Sequence, residues 1–162
     1  MASTITPCLW FDGKAEEAAK FYTSLFPNSR IDKINRSPAE TPSGPAGMVL
    51  TVEHTVAGQH FIGLNGGPDF KFNEAVSFSI DCEDQNEVDK YWDALIAGGG
   101  EPSVCGWLKD RFGVSWQVIP RQLVEFMASP DREAAKRATE AMLQMKKIDV
   151  EALREAFEGV KA

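Results

Sequence analysis

Hydrophobic and polar positions change their spacing several times along the chain, and each change marks a predicted element. In residues 15–26 and 85–96 the apolar side chains recur every three or four positions, which is the spacing of an amphipathic helix. The stretches 29–37, 47–56, 59–67, 105–109 and 114–119 have β-strand character instead. The pattern therefore predicts an α+β protein.

Residues 5–26 repeat as residues 75–96 when the two stretches are laid over each other without a gap. The matched pairs are Trp10 with Ile80, Glu17 with Glu87, Ala18 with Val88, Lys20 with Lys90 and Leu25 with Leu95. Each copy is a strand followed by a helix. Such self-similarity predicts two halves built alike.

Local signals set the ends of the two repeated helices. Asp12 is the expected N-cap of the first helix, which Pro27 ends. Asp84, with Glu87 three residues on, predicts a capping box at the start of the second. The glycines at 98–100 end that helix.

Three strands are expected after the first helix, with a loop at residues 37–47. The second half offers a hairpin whose type I turn runs from Asp110 to Gly113. A bulge at Gly113 leaves the register of this hairpin open by one residue. A further strand is either missing or very short near Glu101-Pro102.

The chain beyond Pro120 is predicted to be helical. Residues 121–128 form a short helix, Ser129-Pro130 supplies the N-cap and first position of the next, and Asp149 begins the last. The face of this tail is rich in alanine and methionine. It packs either on its own sheet or on a second subunit.

Composition and charge limit the classes of partner. A net charge of −7 repels phosphate backbones and anionic lipid, so neither nucleic acid nor a membrane is an expected partner. No apolar stretch approaches the ~20 residues that span a bilayer. Three cysteines, Cys8, Cys82 and Cys105, without CxxC spacing favour free thiols in the cytoplasm.

Two strings, "LWFDGKAEEAAKFY" (9–22) and "GWLKDRFGVSWQ" (106–117), carry a family resemblance. With the tandem βαβββ-like halves, they resemble the PhnB-like family of the vicinal oxygen chelate superfamily. That superfamily has the glyoxalase/bleomycin-resistance/dioxygenase fold, and PhnB-like members often carry the label 3-demethylubiquinone-9 3-methyltransferase. The resemblance implies one domain over 1–162, with a first half at 1–68, a second at 74–120 and a helical tail at 121–162.

The resemblance also implies where a metal would bind, on the first and last strands of each half. The corresponding positions are near Ile5 or Pro7, Ile62, Ala75 and Gln117, of which only Gln117 carries a donor. We therefore expect neither a metal nor another cofactor. A methyltransferase would need a glycine-rich turn between a strand and a helix. The glycines at 63–67 and 98–100 do not lie in that context.

Strand alternation predicts which residues face the clefts of the two halves. The ungapped repeat puts Thr6, Cys8, Trp10, Val76, Phe78 and Ile80 against the helices. It leaves Ile5, Pro7, Leu9, Ala75, Ser77 and Ser79 in the clefts. Aligning Gly58 with Gly113 adds His60, Ile62, Ser115 and Gln117 to the cleft positions. Glu53 and His54 are adjacent on one strand, so they point in opposite directions and cannot form an acid–base pair.

The predicted ligand-binding residues are His60, Ser77, Ser79, Trp107, Ser115 and Gln117. If the hairpin register turns Trp107 to the cleft, its ring forms a wall for a flat ligand, and Gln117 orients that ligand. Trp116 is expected to pack beneath the second helix. Residues 109–111 are interpreted as a solvated hairpin tip, with a rim of the ligand site as the alternative.

The sequence thus predicts a cytoplasmic homodimer that binds a small apolar or aromatic molecule without a metal. The resemblance implies that the two subunits can exchange halves, with hinges near residues 37–47 and 65–73. Two alternatives stay open. One is a metal-dependent glyoxalase- or dioxygenase-like enzyme, and the other is the methyltransferase of the family label.

Overall fold

A computed structural model describes residues 3–160 of the chain. The chain divides between Phe72 and Asn73 into two compact units. Each unit contains one four-stranded mixed sheet and a helix that follows its first strand. No helix of the described residues is long and apolar enough to cross a membrane.

The first unit has the order strand, helix and three strands. Its elements are β1 (Cys8–Phe11), α1 (Ala15–Leu25), β2 (Arg30–Arg36), β3 (Val49–Val56) and β4 (Gln59–Asn65). The sheet order is β1-β4-β3-β2. β1 runs parallel to β4, and the other pairs are antiparallel.

The second unit repeats this topology and adds the helical tail. Its elements are β5 (Ser77–Cys82), α2 (Gln85–Ile96), β6 (Glu101–Pro102), β7 (Trp107–Lys109), β8 (Ser115–Pro120), α3 (Arg121–Ala128), α4 (Arg132–Met142) and α5 (Val150–Glu158). The sheet order β5-β8-β7-β6 matches that of the first unit. The predicted α+β fold of tandem βαβββ-like halves is confirmed, including the very short strand at Glu101-Pro102.

The two repeated helices begin differently. The Asp84 side chain accepts a hydrogen bond from the Glu87 amide at 3.0 Å, and the Glu87 carboxylate accepts one from the Glu83 amide at 2.8 Å. This confirms a capping-box-like start, in which Glu87 reaches the amide of Glu83, one residue before the cap, and not that of Asp84 itself. Asp12 is not the cap of α1, because the helix begins at Ala15 and the N-cap position is Lys14. The Ala15 amide donates instead to Asn65 Oδ1, at 2.9 Å, from the end of β4.

The cleft-facing prediction for the first strand is wrong by one residue. Leu9 pairs with Gly63 in β4, and both lie on the face that packs against α1, where Leu9 is buried. In the second unit the structural counterpart of Leu9 is Ile80, which pairs with Val118 in β8. The ungapped repeat had matched Leu9 with Ser79 instead. The first half therefore has one extra residue between strand and helix. A shift of one residue turns every side chain to the other face.

As a result, Cys8 and Trp10 point away from α1, while Leu9 and Phe11 are buried beneath it. Ile5, Pro7 and Ala75 precede the strands, and Ile5 and Ala75 are exposed. In the second half the prediction is confirmed. Ser77 and Ser79 lie on the face opposite α2, as do Ser115 and Gln117 beside them.

The hairpin of β7 and β8 settles the register that the sequence left open. Gly113 has φ +87° and its amide closes the turn on the Asp110 carbonyl at 2.9 Å. The extra residue there is the predicted bulge, and Trp107 consequently pairs with Gln117. Trp107 thus lies on the cleft-facing side. Trp116 lies on the other side, where it is buried and 5.5 Å from the Phe78 ring, as expected of a core residue.

The tail packs on its own unit, which is one of the two predicted alternatives. Leu123, Ile148 and Leu153 form its core, and Ile119 of β8 and Phe126 pack against it. The predicted cap of α4 is displaced, because Asp131 and not Ser129 accepts the hydrogen bond from Ala134, at 3.1 Å. The Asp149 cap of α5 is confirmed at 3.0 Å.

Two backbone hydrogen bonds tie this tail to the loop before β7. The Cys105 amide donates to the Met145 carbonyl and the Gly106 amide to the Lys146 carbonyl, both at 2.8 Å. Gly106 has φ +82°, and a Cβ there would lie 3.0 Å from the Val118 carbonyl oxygen. A side chain at this position would therefore separate the loop from β8 and the tail.

Candidate functional site

Five predicted ligand-binding residues share one face of the second sheet, the face turned away from α2. We call it the open face of the second sheet, and its members are Ser77, Ser79, Trp107, Ser115 and Gln117. Gln117 Nε2 donates to Ser77 Oγ at 3.0 Å. The structure thus brings these residues onto one surface, as predicted. Their role in binding stays a prediction.

A cavity of about 400 Å³ opens on this face. Trp107, Lys109 and Ser115 line one side, and residues 101–105 together with Glu74 line the other. A volume of this size holds a small organic molecule. The bulge at Gly113 is the reason that Trp107 contributes to the wall, since without that extra residue its ring would lie on the face packed against α2.

Ser115 Oγ is buried in the wall of this cavity and has no hydrogen-bond partner among the described residues. A buried hydroxyl without a partner costs about 1–3 kcal/mol relative to a satisfied one. Buried polar atoms of native proteins are otherwise almost always paired. The oxygen is closed off from solvent, so a molecule in the cavity would gain this hydrogen bond after a small movement of the wall.

An ion pair lies at the edge of the same cavity. The Lys109 ammonium binds the Glu74 carboxylate. This hydrogen bond raises the pKa of Lys109 and lowers the pKa of Glu74. The two charges offset each other, so neither is an unpaired charge facing a ligand.

The interpretation of residues 109–111 as a solvated tip is wrong for two of the three residues. Asp110 is 3% exposed, because its carboxylate accepts hydrogen bonds from the Phe112 and Val114 amides and from Trp116 Nε1. Lys109 lines the cavity, which is the alternative that the sequence left open. Arg111 is exposed, with its guanidinium 4.7 Å from the centroid of the Phe112 ring.

A second cavity of about 390 Å³ lies farther along the open face of the second sheet. Ser79, Asp81, Ile119 and Arg121 line it, together with Val124 and Glu125 of α3. Arg121 Nε is 3.1 Å from the Asp81 carboxylate. Ser79 therefore belongs to this second cavity and not to the one beside Trp107. Gln117 lies between Ser115 and Ile119 along β8, and so between the two cavities.

His60, the sixth predicted residue, belongs to a cavity of about 360 Å³ within the first unit. Asp32, Glu53 and Ile62 also line it. Thr55 lies behind His60 and connects it to Asp32. Thr55 Oγ1 is 2.9 Å from His60 Nδ1 and 2.7 Å from Asp32 Oδ2.

Asp32, Thr55 and Glu53 were not predicted as members of a site. A signal was present in β3, where Thr51, Glu53 and Thr55 alternate with Val52, His54 and Val56. This alternation puts the polar set on the face away from α1. Asp32 could not have been found in this way, because β2 has an irregular register between Ile31 and Lys33.

His54, which follows Glu53 on β3, is a core residue. It is 1% exposed, its ring stacks on Phe61 with centroids 5.7 Å apart, and Nδ1 is 3.0 Å from the Val52 carbonyl. Burial lowers the pKa of His54, since it disfavours the charged imidazolium. The ring is therefore held neutral in the core.

The described residues do not fit a metal centre of the superfamily type. Within residues 3–160 no group of three or more His, Cys, Asp or Glu side chains is placed to hold a metal ion. Ile62 faces the cavity at the position where a ligand would be required. Cys8 of β1 pairs with Ile62 of β4, and a single thiol at this position does not complete the three or four ligands of such a site.

Two βαβββ units, each with a four-stranded mixed sheet in the same strand order, define a PhnB-like protein of the glyoxalase fold. The family model described as 3-demethylubiquinone-9 3-methyltransferase matches residues 3–119. The chain belongs to this family.

Solved structures support the same assignment. A Bacillus cereus PhnB protein that carries the same methyltransferase label is 36% identical, with a TM-score of 0.65 over 73% of this chain and 99% of its own. The Pseudomonas aeruginosa protein PA1353 shares the fold at 20% identity, with a TM-score of 0.60 over 74% of this chain and 98% of its own. No curated protein matches the chain.

Proposed function

We propose that the second unit binds a small, neutral aromatic molecule in the cavity beside Trp107. The observation that carries this proposal is the buried Ser115 hydroxyl, which lines the cavity and has no partner among the described residues. The function is binding, either for sequestration or as the first step of a reaction.

The cavity walls favour a flat ligand with one hydrogen-bonding group. Trp107 offers an indole face, and aromatic stacking contributes about 0.5–1.5 kcal/mol beyond the burial of area. Ser115 Oγ can donate or accept a single hydrogen bond. The Lys109 and Glu74 charges offset each other, and the exposed Glu101 adds a negative charge to the lining, so a neutral ligand is favoured over an anion.

Two ring compounds, indole and 2-naphthol, are suitable probes for calorimetric titration. We expect Trp107→Ala and Ser115→Ala each to weaken binding by about 2- to 12-fold, from interaction energies of about 0.5–1.5 kcal/mol. Ser79→Ala is the matched control, since Ser79 lies on the same sheet face but lines the other cavity. It should leave affinity unchanged.

Stability separates a ligand-binding role of Ser115 from a structural one. Because Ser115 Oγ makes no hydrogen bond within the described residues, Ser115→Ala should unfold at the same urea concentration as the wild type or at a higher one. A large loss of stability would contradict the proposal. So would equal losses of affinity in Ser115→Ala and Ser79→Ala.

The remaining parts of the proposal concern metal, cofactor, location and assembly. We propose a metal-free, cytoplasmic homodimer, with or without exchanged halves, in which the cysteines Cys8, Cys82 and Cys105 remain free thiols. Light scattering tests the dimer. Titration with divalent ions tests the metal-free state, and stabilisation that saturates at one ion per chain would favour the metal-dependent alternative.

The family label keeps a methyltransferase as the second alternative. Gly66 and Gly67 follow β4 and lead into a loop, and Gly98–Gly100 follow α2. Neither run connects a strand to the start of a helix, as a dinucleotide-type site requires. We expect no calorimetric binding of S-adenosylmethionine, and micromolar affinity would favour the label.

A further inference from the structure

We propose that the first unit carries a separate acid–base site, in which His60 accepts a proton through Nε2 from a small neutral O–H compound of the phenol class. This site goes beyond the ligand cavity beside Trp107 and does not rest on it. Two observations support it, namely a chain of hydrogen bonds that fixes the ring of His60 and a cavity lined by acceptors.

The hydrogen bonds assign the protons of the chain. Thr55 Oγ1 donates its only proton to Asp32 Oδ2, at 2.7 Å. The same hydroxyl is 2.9 Å from His60 Nδ1, and with no proton left it must accept the hydrogen bond from that nitrogen. Nδ1 carries the ring proton, and Nε2 of the neutral ring is left with its lone pair.

Asp32 provides the charge at the end of this chain. Burial acts to raise the pKa of Asp32, but the hydrogen bond from Thr55 and the charge of Arg30 outweigh it, so that the pKa is lowered. Arg30 Nε donates to Asp32 Oδ1 at 2.7 Å. Asp32 Oδ2 is 3.8 Å from His60 Nδ1, which is close enough to stabilise an imidazolium.

The cavity in front of His60 selects the class of ligand. Glu53 lines it, with its carboxylate held by Asn35 Nδ2 at 3.0 Å, and Asp32 adds a second carboxylate. These charges disfavour ligands that enter as anions, such as carboxylates and phosphates, whereas a neutral phenol becomes an anion only as His60 becomes a cation beside it. Nε2 and Glu53 are acceptors, so a donor is required, and Ile62 offers an apolar surface for a ring.

The proposed step is a simple proton transfer. The O–H bond of the ligand breaks, its electron pair stays on oxygen, and the proton forms an N–H bond at His60 Nε2. The ligand becomes a phenolate and the ring an imidazolium, so the total charge is unchanged. Asp32 stabilises the imidazolium through Thr55, in the same way that a carboxylate orients and stabilises the histidine of a hydrolase.

Nuclear magnetic resonance of the ¹⁵N-labelled chain tests the proton assignment. Only two histidines exist, so each ring gives its own signals. At a pH where the imidazole is neutral, we expect the Nδ1–H form for His60. Thr55→Val should shift His60 toward Nε2–H, and Thr55→Ser should restore the wild-type form. The His54 signals report whether each variant is folded.

The probe 4-nitrophenol tests the proton transfer, because its phenolate absorbs at a longer wavelength than the phenol. Below the pKa of the free phenol, the wild-type chain and Thr55→Ser should raise the phenolate fraction, while His60→Gln should bind roughly 10-fold more weakly and raise none. Because the cavity beside Trp107 can bind the same phenol, the comparison of the wild type with His60→Gln is repeated in the Trp107→Ala background, where the phenolate fraction that depends on His60 should persist.

Three results would overturn the proposal. The first is an Nε2–H form of His60 in the wild-type chain. The second is a phenolate fraction that His60→Gln leaves unchanged, or that Trp107→Ala removes. The third is an absence of 4-nitrophenol binding, which would contradict the assigned ligand class.

Discussion

Asp110 connects the hairpin turn to the core, and its replacement by asparagine gives a sharp prediction. Oδ1 accepts from the Phe112 amide at 2.8 Å and from the Val114 amide at 3.1 Å, and Oδ2 accepts from Trp116 Nε1 at 2.9 Å. In Asp110→Asn the amide oxygen can keep both turn bonds. The amide NH₂ would then face the indole N–H, so that two donors meet.

The expected loss of stability follows from this geometry. One hydrogen bond to a charged acceptor is worth about 1.5–3 kcal/mol, so Asp110→Asn should lower the free energy of unfolding by that amount. Asp110→Ala leaves all three donors without this acceptor, and the bonds from Val114 and Trp116 are buried. This substitution should lower the free energy of unfolding by about 3–5 kcal/mol.

A double-mutant cycle with Trp116→Phe isolates the indole bond. Without Nε1–H, the asparagine has no opposing donor, and Asp110→Asn should then cost less than about 1 kcal/mol. Urea denaturation of the four proteins provides the measurement. If Asp110→Asn costs the same in the wild-type background as in the Trp116→Phe background, to within about 0.5 kcal/mol, the reasoning is refuted.

Three further predictions concern His54, Asn65 and Cys82. Burial depresses the folded-state pKa of His54 below 6.5, so as the pH falls the unfolded chain binds the proton first. The free energy of unfolding should therefore fall by up to about 1.4 kcal/mol per pH unit below pH 6.5, until the folded-state pKa is passed. Urea titrations of His54→Phe should lack this pH dependence. Asn65 accepts from the Ala15 amide and donates to the Val49 carbonyl, both at 2.9 Å, so Asn65→Ala should cost about 2–4 kcal/mol by urea denaturation. Burial, with the charges of Glu87 and Asp81, raises the pKa of Cys82 to about 12, so iodoacetamide followed by peptide mass spectrometry should find it unmodified until the chain is denatured.

The general architecture could be predicted because its signals are local. The capping box at Asp84 and the turn from Asp110 to Gly113 each involve residues within four positions of one another. The periodicity of residues 85–96 likewise gives the buried face of α2 without knowledge of the sheet. Such features depend on neighbouring residues alone, so the sequence contains all that they require.

The errors arose where a distant residue replaces a local one. Asp12 is a good helix cap by type, but Asn65 reaches the first turn of α1 from a strand that ends 50 residues later in the chain. The face of β1 was wrong because one extra residue before α1 breaks the ungapped repeat. An alignment of the halves by composition cannot detect such an insertion within a short connection.

The candidate site was predicted in part for the same reason. Ser115 and Gln117 lie on one strand whose alternation is visible, so their common face could be expected. The face of Trp107 depends on the bulge at Gly113, which the sequence left open. The link from His60 through Thr55 to Asp32 joins three strands, and its geometry depends on an irregularity in β2. The burial of Asp110 depends on the position of the Trp116 indole, which the sequence alone does not specify.

The two hydrogen bonds between the tail and the loop before β7 connect a part of the chain outside the matched family region to a part inside it. The matched family region ends at residue 119, whereas Met145 and Lys146 hold the backbone of Cys105 and Gly106. Residues 103–105 form one side of the cavity that contains Trp107. Changes in this C-terminal extension can therefore reshape the cavity beside Trp107, although every residue that lines the cavity is kept.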